Sequence, residues 1–507
     1  MSDNFAFRLR RVQISGHPIL KELDVTLCND EGMSSSVYTT GIIGANGTGK
    51  SHLMGAIASI FSEIRKCVDF ENSGKKHFSF TVEYDCMGSR YSVSNVRRSG
   101  DVRVIDISGL QNDYLWATCD GEQIDVNELF LPDRVIASTM TVTDKFVAKS
   151  DQFYRYKGIR NERSASTTGT RTIIRKTVES LMDCMVSKNE FQTELRTLLN
   201  NLGLEEHLHV SYGMRYKDLF LHSGMTSERI REIFDNWKTY FPDRENEPWG
   251  YKNYISGLRD NEDALSAAAA FLSEKAQMND YMSSVVVTYD VMMDPEAFHR
   301  DAEAIRILTR LDLVSFPSIH VVKKGSSFGL ENSSSGETHL LCQFIGIMAD
   351  IRHDSLVLID EPENSSHPDW QMNYVGWLKD IFSEYADSHF IIATHSPLIL
   401  ANMKASESTI VRLARDNNNR LLDEGGMTQG CYSWTIDEIL QDVMEMKSNR
   451  TADFNSAMSD FEQALDEDNQ RKARKAYERL LGLIRPGNEL AELLRIQMIG
   501  LDSSKDD

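Results

Sequence analysis

Short alternating runs of apolar and polar residues dominate the first part of the chain and are typical of β-strands. The runs at 6–28 predict a two-stranded hairpin, and TTGIIG at 39–44 predicts a buried strand. An amphipathic helix is predicted to follow at 50–64. Further runs, DVRVIDI at 101–107 and LPDRVIASTMTVT at 131–143, predict more strands. The chain therefore begins with a β-rich lobe.

The apolar spacing changes to helical periodicity between residues 164 and 312, which predicts a helical insertion. No heptad is sustained over many repeats, so a long coiled-coil arm is not expected. The strand-like IHVVKK at 319–324 is expected to return the chain to the first lobe. Helices are predicted at 173–200, 226–240, 259–278 and 296–312 in the insertion, and at 434–447, 452–467, 469–484 and 488–499 in a C-terminal tail.

The composition, with 41% hydrophobic and 26% charged residues in 507, is that of a soluble globular protein. No stretch approaches the roughly 18 apolar residues of a membrane span. The start MSDNFAFRLRR lacks the apolar run of a secretory signal, so we expect a cytoplasmic protein without membrane contact. The seven cysteines form no C-x-x-C pair, which argues against a disulfide framework and a structural zinc site.

The formal net charge of -21 disfavours non-specific nucleic-acid binding, so any such contact must be local. One stretch, 153–176, is strongly basic and interleaves aromatic residues with the charges, as base-stacking surfaces do. Two interpretations stay open, a local nucleic-acid contact or a solvated loop that leads into a helix. The candidate contact residues are Arg155, Lys157, Arg160 and Arg163, with Phe153, Tyr154 and Tyr156 as the interleaved aromatics.

A phosphate-binding loop stands between the predicted strand at 39–44 and the helix that follows it. Its residues, which match G-x-x-x-x-G-K-[ST], are Gly44, Ala45, Asn46, Gly47, Thr48, Gly49, Lys50 and Ser51. Glycines allow backbone N–H groups to surround phosphate oxygens, and the helix N-terminus adds about half a positive charge. Lys50 is expected to bridge the β- and γ-phosphates of ATP, and Ser51 to hold Mg²⁺.

Two adjacent acids end a second apolar strand, SLVLIDE at 355–361. Because side chains alternate along a strand, Asp360 is expected to reach Mg²⁺ while Glu361 faces an attacking water as general base. Glu363 is a weaker candidate for that polarising role. A third strand at 389–393 ends in His395, which is expected to hydrogen-bond the γ-phosphate and to couple it to the catalytic acid.

A second phosphate cradle is predicted at NSSSGE, 332–337, where small residues begin an apolar helix. The first loop already serves this chain's own nucleotide, so Ser334 and Gly336 are free to contact the γ-phosphate of another copy. The alternative is an ordinary serine-capped helix.

In this order, GANGTGKS, SSSGE, LVLIDEPENSSHP and IIATHSP resemble the ABC ATPases, in particular the branch with Rad50, RecF and the overcoming-lysogenization-defect proteins. The short insertion and helical tail are similar in layout to ATPase subunits of bacterial anti-phage systems, such as Septu, whose ATPase works beside an HNH nuclease, and retrons. The resemblance implies an α/β fold of the ABC-type P-loop class, a mixed sheet with flanking helices. The helical insertion, which the resemblance does not cover, and the helical C-terminal tail follow from the periodicity described above.

The resemblance implies four parts and a set of partners. ATPase lobes are expected at 1–150 and 316–412, a basic loop and helical insertion at 151–315, and a partner-docking tail at 413–507. The expected activity is hydrolysis of ATP to ADP and phosphate with Mg²⁺, in a homodimer or higher homo-oligomer closed around ATP. A separately encoded effector such as an HNH nuclease is expected to do any cutting, because the tail's Asp466-Glu467-Asp468 fits a solvated turn better than a nuclease site.

Two other functions are compatible with the motifs. A DNA-repair ATPase that binds DNA directly would need the basic stretch as its contact surface. A transporter motor is disfavoured, because Lys50 and Ser334 are nearly three hundred residues apart. The resemblance also implies a γ-phosphate-sensing glutamine after Ala137. None stands there, so Ser138, Thr139 or Thr141 is expected to substitute.

Overall fold

The computed structural model divides into two compact units, Met1–Ser433 and Trp434–Asp507. It describes residues 6–28, 36–69, 78–96, 115–160, 169–187, 191–243, 249–278, 286–415, 421–423, 430–444, 446, 450–467, 469–485 and 488–503. The strand predicted at 101–107 and the basic residue Arg163 lie outside these ranges.

The described strands are β1 (Arg8–His17), β2 (Lys21–Thr26), β3 (Tyr38–Ile43), β4 (Ser79–Cys86), β5 (Ser89–Ser94), β6 (Trp116–Cys119), β7 (Glu122–Ile124), β8 (Val135–Thr139), β9 (Tyr154–Gly158), β10 (Leu208–Gly213), β11 (Val286–Asp290), β12 (Ser318–Lys323), β13 (Ser326–Gly329), β14 (Leu356–Asp360), β15 (His389–Ala393), β16 (Ser408–Arg415) and β17 (Leu421–Asp423).

The described α-helices are α1 (Lys50–Val68), α2 (Thr170–Ser187), α3 (Phe191–Asn201), α4 (Lys217–Phe220), α5 (Ser227–Asp235), α6 (Trp237–Tyr240), α7 (Trp249–Asn253), α8 (Glu262–Met278), α9 (Pro295–Arg310), α10 (Ser335–Asp350), α11 (Pro368–Ile381), α12 (Pro397–Leu400), α13 (Ile436–Glu438), α14 (Ala452–Asp466), α15 (Gln470–Leu483) and α16 (Glu489–Ser503). None of these helices is long and apolar enough to cross a membrane.

The central sheet has the strand order β17-β16-β3-β15-β14-β8-β9 among the described residues. All of its pairings are parallel except that of β17 with β16. The central strands β3, β8, β14 and β15 are buried along their whole length, as strands of a parallel sheet covered on both faces are. Helix α1 packs against β8, β14 and β15. This mixed sheet flanked by helices confirms the predicted α/β class.

A second sheet pairs its strands antiparallel in the order β2-β1-β4-β5-β6-β7. Its apolar residues share one core with α1 and the central sheet, so the phosphate-loop helix lies between two sheets. The predicted hairpin at 6–28 is confirmed by β1 and β2. The β-rich start of the chain thus supports the helix that carries Lys50.

The insertion contains the helices α2 to α9, as its periodicity predicts, and also two strands that the sequence did not predict, β10 and β11. These strands join β12 and β13 in a separate sheet of order β11-β10-β12-β13. The segment 319–324 therefore pairs within this sheet and does not return to the central one. Residues 208–213 and 286–290 are 73 positions or more apart, so their pairing is a tertiary event that neither segment signals alone.

The second unit contains α14, α15 and α16 with a core of its own. Leu480 and Leu494 are fully buried there, whereas Leu481, Leu483 and Leu493 are 40%, 45% and 58% exposed. The amphipathic helices predicted for the tail are present, and part of their leucine set faces outward.

Candidate nucleotide-binding site

Four central strands bring the predicted motifs to one edge of the sheet. Because β3, β15, β14 and β8 are mutually parallel, their carboxyl ends meet at the same edge, where α/β sheets bind ligands. The phosphate loop follows β3, Asp360 ends β14, and His395 comes two residues after β15. The order of the strands, rather than of the sequence, places these groups together.

The phosphate loop is closed by its own lysine. Lys50 is 4% exposed, and its Nζ donates to the carbonyl oxygens of Gly44 at 2.7 Å and Ala45 at 3.4 Å. The Thr48 hydroxyl donates to the same Ala45 carbonyl at 2.9 Å. Gly49, which caps α1, has a φ of 100°, a conformation that side-chain-bearing residues rarely adopt.

Within this loop, Asn46 and Gly47 lie between Ala45 and Thr48 and complete the turn before the helix. Burial lowers the pKa of Lys50 to about 8, against the opposing pull of Glu361, Glu363 and Asp360. An anionic ligand would restore its full charge. The loop therefore fits phosphate oxygens.

Ser51 and Asp360 have the spacing of two neighbouring magnesium ligands. The Ser51 hydroxyl donates to Asp360 Oδ1 at 3.1 Å. Adjacent ligands of an octahedral Mg²⁺, each about 2.1 Å from the ion, lie about 3 Å apart. Burial, together with the charges of Glu361, Asp144 and Glu363, raises the pKa of Asp360 to about 7. A divalent cation here would stabilise the carboxylate, so the residues fit the metal that the motifs imply.

Glu361 is held at the rim of the site in a strained backbone conformation. Its φ of 52° is left-handed, which costs a non-glycine residue about 1 kcal/mol or more. Its N–H donates to the Ala393 carbonyl at 2.9 Å, which ties β14 to the end of β15. One carboxylate oxygen accepts from Asn364 at 3.1 Å, and the other lies 3.8 Å from His395 Nε2. Because Glu361 follows the last residue of β14 in this left-handed conformation, strand alternation does not set the direction of its side chain.

His395 bridges the two halves of the site. Its Nδ1 lies 3.3 Å from Lys50 Nζ, while Nε2 faces Glu361. Burial and the positive charge of Lys50 lower the pKa of His395, which favours the neutral ring. The backbone N–H of His395 donates to a carboxylate oxygen of Glu363, and burial raises the pKa of Glu363. This bond joins the turn after β14 to the residue that follows β15.

The residues of the predicted second phosphate cradle lie at the start of α10, where Ser334 is exposed and Gly336 is buried. Ser334 caps this helix by accepting from the Glu337 N–H at 3.2 Å. A Cβ on Gly336 would lie 2.4 Å from the Ser365 carbonyl oxygen, so only glycine allows this turn to approach the segment after β14. Among the described residues, no hydrogen bond joins Ser334 or Gly336 to the phosphate loop of the same chain.

The loop after β8 contributes an acid that the sequence did not single out. Asp144 is buried and accepts from Tyr156 Oη and from the Arg160 guanidinium, both at 2.9 Å. The next residue, Lys145, places its carbonyl oxygen 2.6 Å from where a Cβ on Gly55 of α1 would be. The predicted substitutes behave differently, since Thr139 and Thr141 bond each other and the Ser138 hydroxyl is buried without a partner.

The sequence signal that could have identified Asp144 is its position in the segment that follows β8. The sequence predicts that the segment after β8 senses the γ-phosphate, and that prediction names the hydroxyl residues Ser138, Thr139 and Thr141 rather than Asp144. The charge of Asp144 helps to raise the pKa of Asp360, after burial and the charge of Glu361. Asp144 therefore lies close to the Ser51–Asp360 pair.

The prediction of a base-stacking surface at 153–176 is wrong for its aromatic residues. Phe153, Tyr154 and Tyr156 are buried in the core on β9 or beside it, so they cannot stack on bases. Within this stretch, Tyr154–Gly158 is not a solvated loop either, because it forms β9, an edge strand of the central sheet.

The three described candidate contact residues, Arg155, Lys157 and Arg160, are engaged within the chain. Arg155 Nε and Lys157 Nζ lie 3.0 and 2.6 Å from the Asp350 carboxylate, which Arg134 also contacts at 2.7 Å. Arg160 pairs with Asp144. Asp350 is the last residue of α10, so Arg155 and Lys157 hold the helix that begins at the second cradle.

Comparison with known proteins gives two sequence relatives. Septu protein PtuA of Bacillus thuringiensis is 31% identical over 146 residues, which are 29% of this chain and 36% of that protein. The chain thus matches little more than a third of the length of that relative. The Retron Vc95 probable ATPase of Vibrio cholerae serotype O1 biovar El Tor is 23% identical over 433 residues, 81% of this chain and 74% of that protein.

A family model described as "AAA domain, putative AbiEii toxin, Type IV TA system" matches residues 243–401. Among solved structures, the Smc head domain of Pyrococcus furiosus bound to the C-terminal domain of ScpA superimposes with a TM-score of 0.34 at 11% identity, covering 87% of this chain and 100% of that one. The SMC head domain from Thermotoga maritima gives 0.33 at 12%, covering 82% and 99%. The comparisons confirm the predicted resemblance to ABC-type ATPases of anti-phage systems.

Proposed function

We propose that this chain binds ATP with Mg²⁺ and hydrolyses it to ADP and phosphate at the edge formed by β3, β14 and β15. The observation that carries the proposal is the convergence of Lys50, the Ser51–Asp360 pair, Glu361 and His395 at that edge. The similarity to a retron ATPase supports the same chemistry.

Each group has a separate task in this reaction. Lys50, released from the Gly44 and Ala45 carbonyls, neutralises charge on the β- and γ-phosphates. Mg²⁺, held by Ser51 and Asp360, supplies further charge neutralisation when it is bound. Glu361 orients the attacking water and accepts its proton. His395 hydrogen-bonds the γ-phosphate and, 3.8 Å from Glu361, links phosphate binding to the position of that base.

The test compares two neighbouring glutamates. Glu361→Gln keeps the shape of the side chain but cannot take a proton, so turnover should fall about a hundredfold to ten-thousandfold while ATP still binds. Lys50→Ala should weaken ATP binding itself. Phosphate release and equilibrium binding of a fluorescent ATP analogue separate the two defects.

Glu363→Gln is the matched control, because its amide oxygen can still accept from the His395 N–H. Near-normal turnover by Glu361→Gln, combined with loss in Glu363→Gln, would assign the base to Glu363 and overturn the proposed roles.

We propose further that two copies close around ATP, each offering its second cradle to the partner's γ-phosphate. Ser334 and Ser335 are exposed at the start of α10, where N–H groups and the helix dipole favour an anion. The first loop serves this chain's own nucleotide, so the proposed ligand of this cradle is the γ-phosphate held by another copy.

The proposed role of this cycle is control of a separately encoded effector, such as an HNH nuclease, in anti-phage defence. The similarity to a Septu protein and a retron protein supports this context. We propose that the exposed leucines of the tail, Leu481, Leu483 and Leu493, form part of the effector's docking surface. Plasmid incubated with the purified chain, ATP and Mg²⁺ or Mn²⁺ should stay intact. Cleavage that disappears when acids of this chain are mutated would refute this division of labour.

A further inference from the structure

Two histidines and an aspartate lie together on the separate sheet, away from the motifs described above. His207 and His209 flank the buried Leu208 at the start of β10. Because side chains alternate along a strand, both rings lie on the same face of the sheet. Asp290, the last residue of β11, stands directly across the strand pair from His209. The three side chains come from segments 81 or more residues apart and are joined only by the fold.

The distances among their ligand atoms suit a tetrahedral metal. One nitrogen of each ring and one carboxylate oxygen lie within 4.8 Å of one another. His209 Nε2 is 3.4 Å from Asp290 Oδ2, and tetrahedral zinc with ligands at about 2.0–2.1 Å separates them by about 3.3 Å. His207 Nδ1 lies 2.6 Å from the same oxygen and would move less than 1 Å to admit an ion.

The carboxylate is oriented from behind, as metal ligands commonly are. Asp290 Oδ1 accepts from the N–H groups of Met292 at 3.0 Å and Met293 at 3.3 Å, which leaves Oδ2 directed at the two rings. The rings are nearly parallel, 4° apart with centroids separated by 5.9 Å. The side chains of His207, His209 and Asp290 are 42%, 30% and 18% exposed, so a hydrated ion can reach them.

We propose that His207, His209 and Asp290 bind a first-row divalent transition metal, with Zn²⁺ as the best fit. Two imidazoles and one carboxylate match the ligand preference of Zn²⁺ better than that of Mg²⁺ or Ca²⁺, which favour oxygen donors. The fourth position is left to water. The scattered cysteines argue only against a zinc site with thiolate ligands, and none of the three ligands proposed here is a thiolate.

At this position the proposed ion would stabilise the pairing of two strands. It would pin β11 to β10, which pairs on its other edge with β12. From β12 the chain passes through β13 and a short turn directly to Ser333 and the second cradle. A metal on this sheet would therefore stiffen the platform from which Ser334 is presented.

The experiment measures zinc on the full, untagged chain without nucleotide. After treatment with a chelator and equilibrium dialysis against buffered Zn²⁺, elemental analysis should find one zinc per chain. His207→Ala and His209→Ala should each bind zinc at least about tenfold more weakly. His299→Ala, an exposed histidine on α9, is the matched control and should bind as wild type does. Cys119→Ser tests the one half-exposed cysteine and should also leave binding unchanged.

X-ray absorption of the wild-type zinc complex keeps the test decisive if a variant fails to fold. The account expects two imidazoles and oxygen ligands, and a zinc-induced rise in melting temperature that both histidine variants lose. No zinc on the wild-type chain, equal zinc on His209→Ala, or sulfur in the ligand set would overturn the proposal. The first outcome would leave the three residues as an ordinary ion pair.

Discussion

At Asp360, a buried carboxylate faces three other acids, and folding without a cation is opposed by that charge. Its pKa of about 7 in the folded chain lies above the ordinary aspartate value, mainly because of burial. A raised carboxyl pKa means that the folded state prefers the proton. Stability is therefore unaffected below the unfolded pKa and is lost progressively as the pH rises towards 7.

Asp360→Asn should consequently stabilise the nucleotide-free chain, and more at high pH. The amide oxygen can still accept from Ser51, so the change removes the charge and keeps the bond. We expect the advantage over wild type to be larger at about pH 8 than at about pH 5 by about 2 kcal/mol. Denaturant unfolding at both pH values measures it.

Asp380→Asn, at an exposed position of α11, is the control and should show no comparable gain. If Asp360→Asn raised the free energy of unfolding equally at both pH values, the surroundings would not raise the pKa of the Asp360 carboxyl, and the prediction would be wrong.

Some residues of the candidate site can be predicted from the few residues around them in the sequence, and others cannot. Lys50, Ser51, Asp360 and Glu361 were predicted because each stands in a short motif at the end of an apolar strand. Asp144 was missed because its closeness to Asp360 depends on how the segment after β8 folds back beside α1. Only tertiary structure supplies that contact.

The edge strand β9 shows what the basic stretch does. Its alternation places Tyr154 and Tyr156 in the core, while Arg155 and Lys157 contact Asp350 at the end of α10. Lys157→Glu should destabilise the chain by about 3 kcal/mol, because it sets a like charge against a buried carboxylate. Denaturant unfolding gives the measurement.

Arg171→Glu, an exposed site in the same basic stretch, should change stability by no more than about 0.5 kcal/mol. If Lys157→Glu left stability unchanged but abolished DNA affinity in salt-dependent filter binding, a nucleic-acid role would regain support.

Elements were predictable where one segment carried the whole signal. The strands around the phosphate loop, the acidic strand and the tail helices follow from continuous apolar patterns. In β9, the period-two pattern of YRYKG was present, but its charge suggested a surface loop. For β10 and β11 the pairing partner is distant in the chain, so helical neighbours dominated the prediction.

At the scale of the whole molecule, the α/β core and its set of motifs were predictable because their order in the chain is fixed. The assembly of two copies was not predictable in the same way, because it depends on which surfaces the folded chain exposes. In the proposed account the cradle at Ser334 and Gly336 serves a second copy, and the anchoring of α10 through Asp350 sets where that cradle stands.

Sedimentation velocity of Glu361→Gln with and without ATP tests that claim most directly. The variant should hold ATP without consuming it, so added ATP and Mg²⁺ should convert the slower species into one of at least twice the mass. Adding Ser334→Arg, a change at an exposed position, should block this shift while ATP binding to the first loop remains. Identical sedimentation of Glu361→Gln with and without ATP would contradict the composite site.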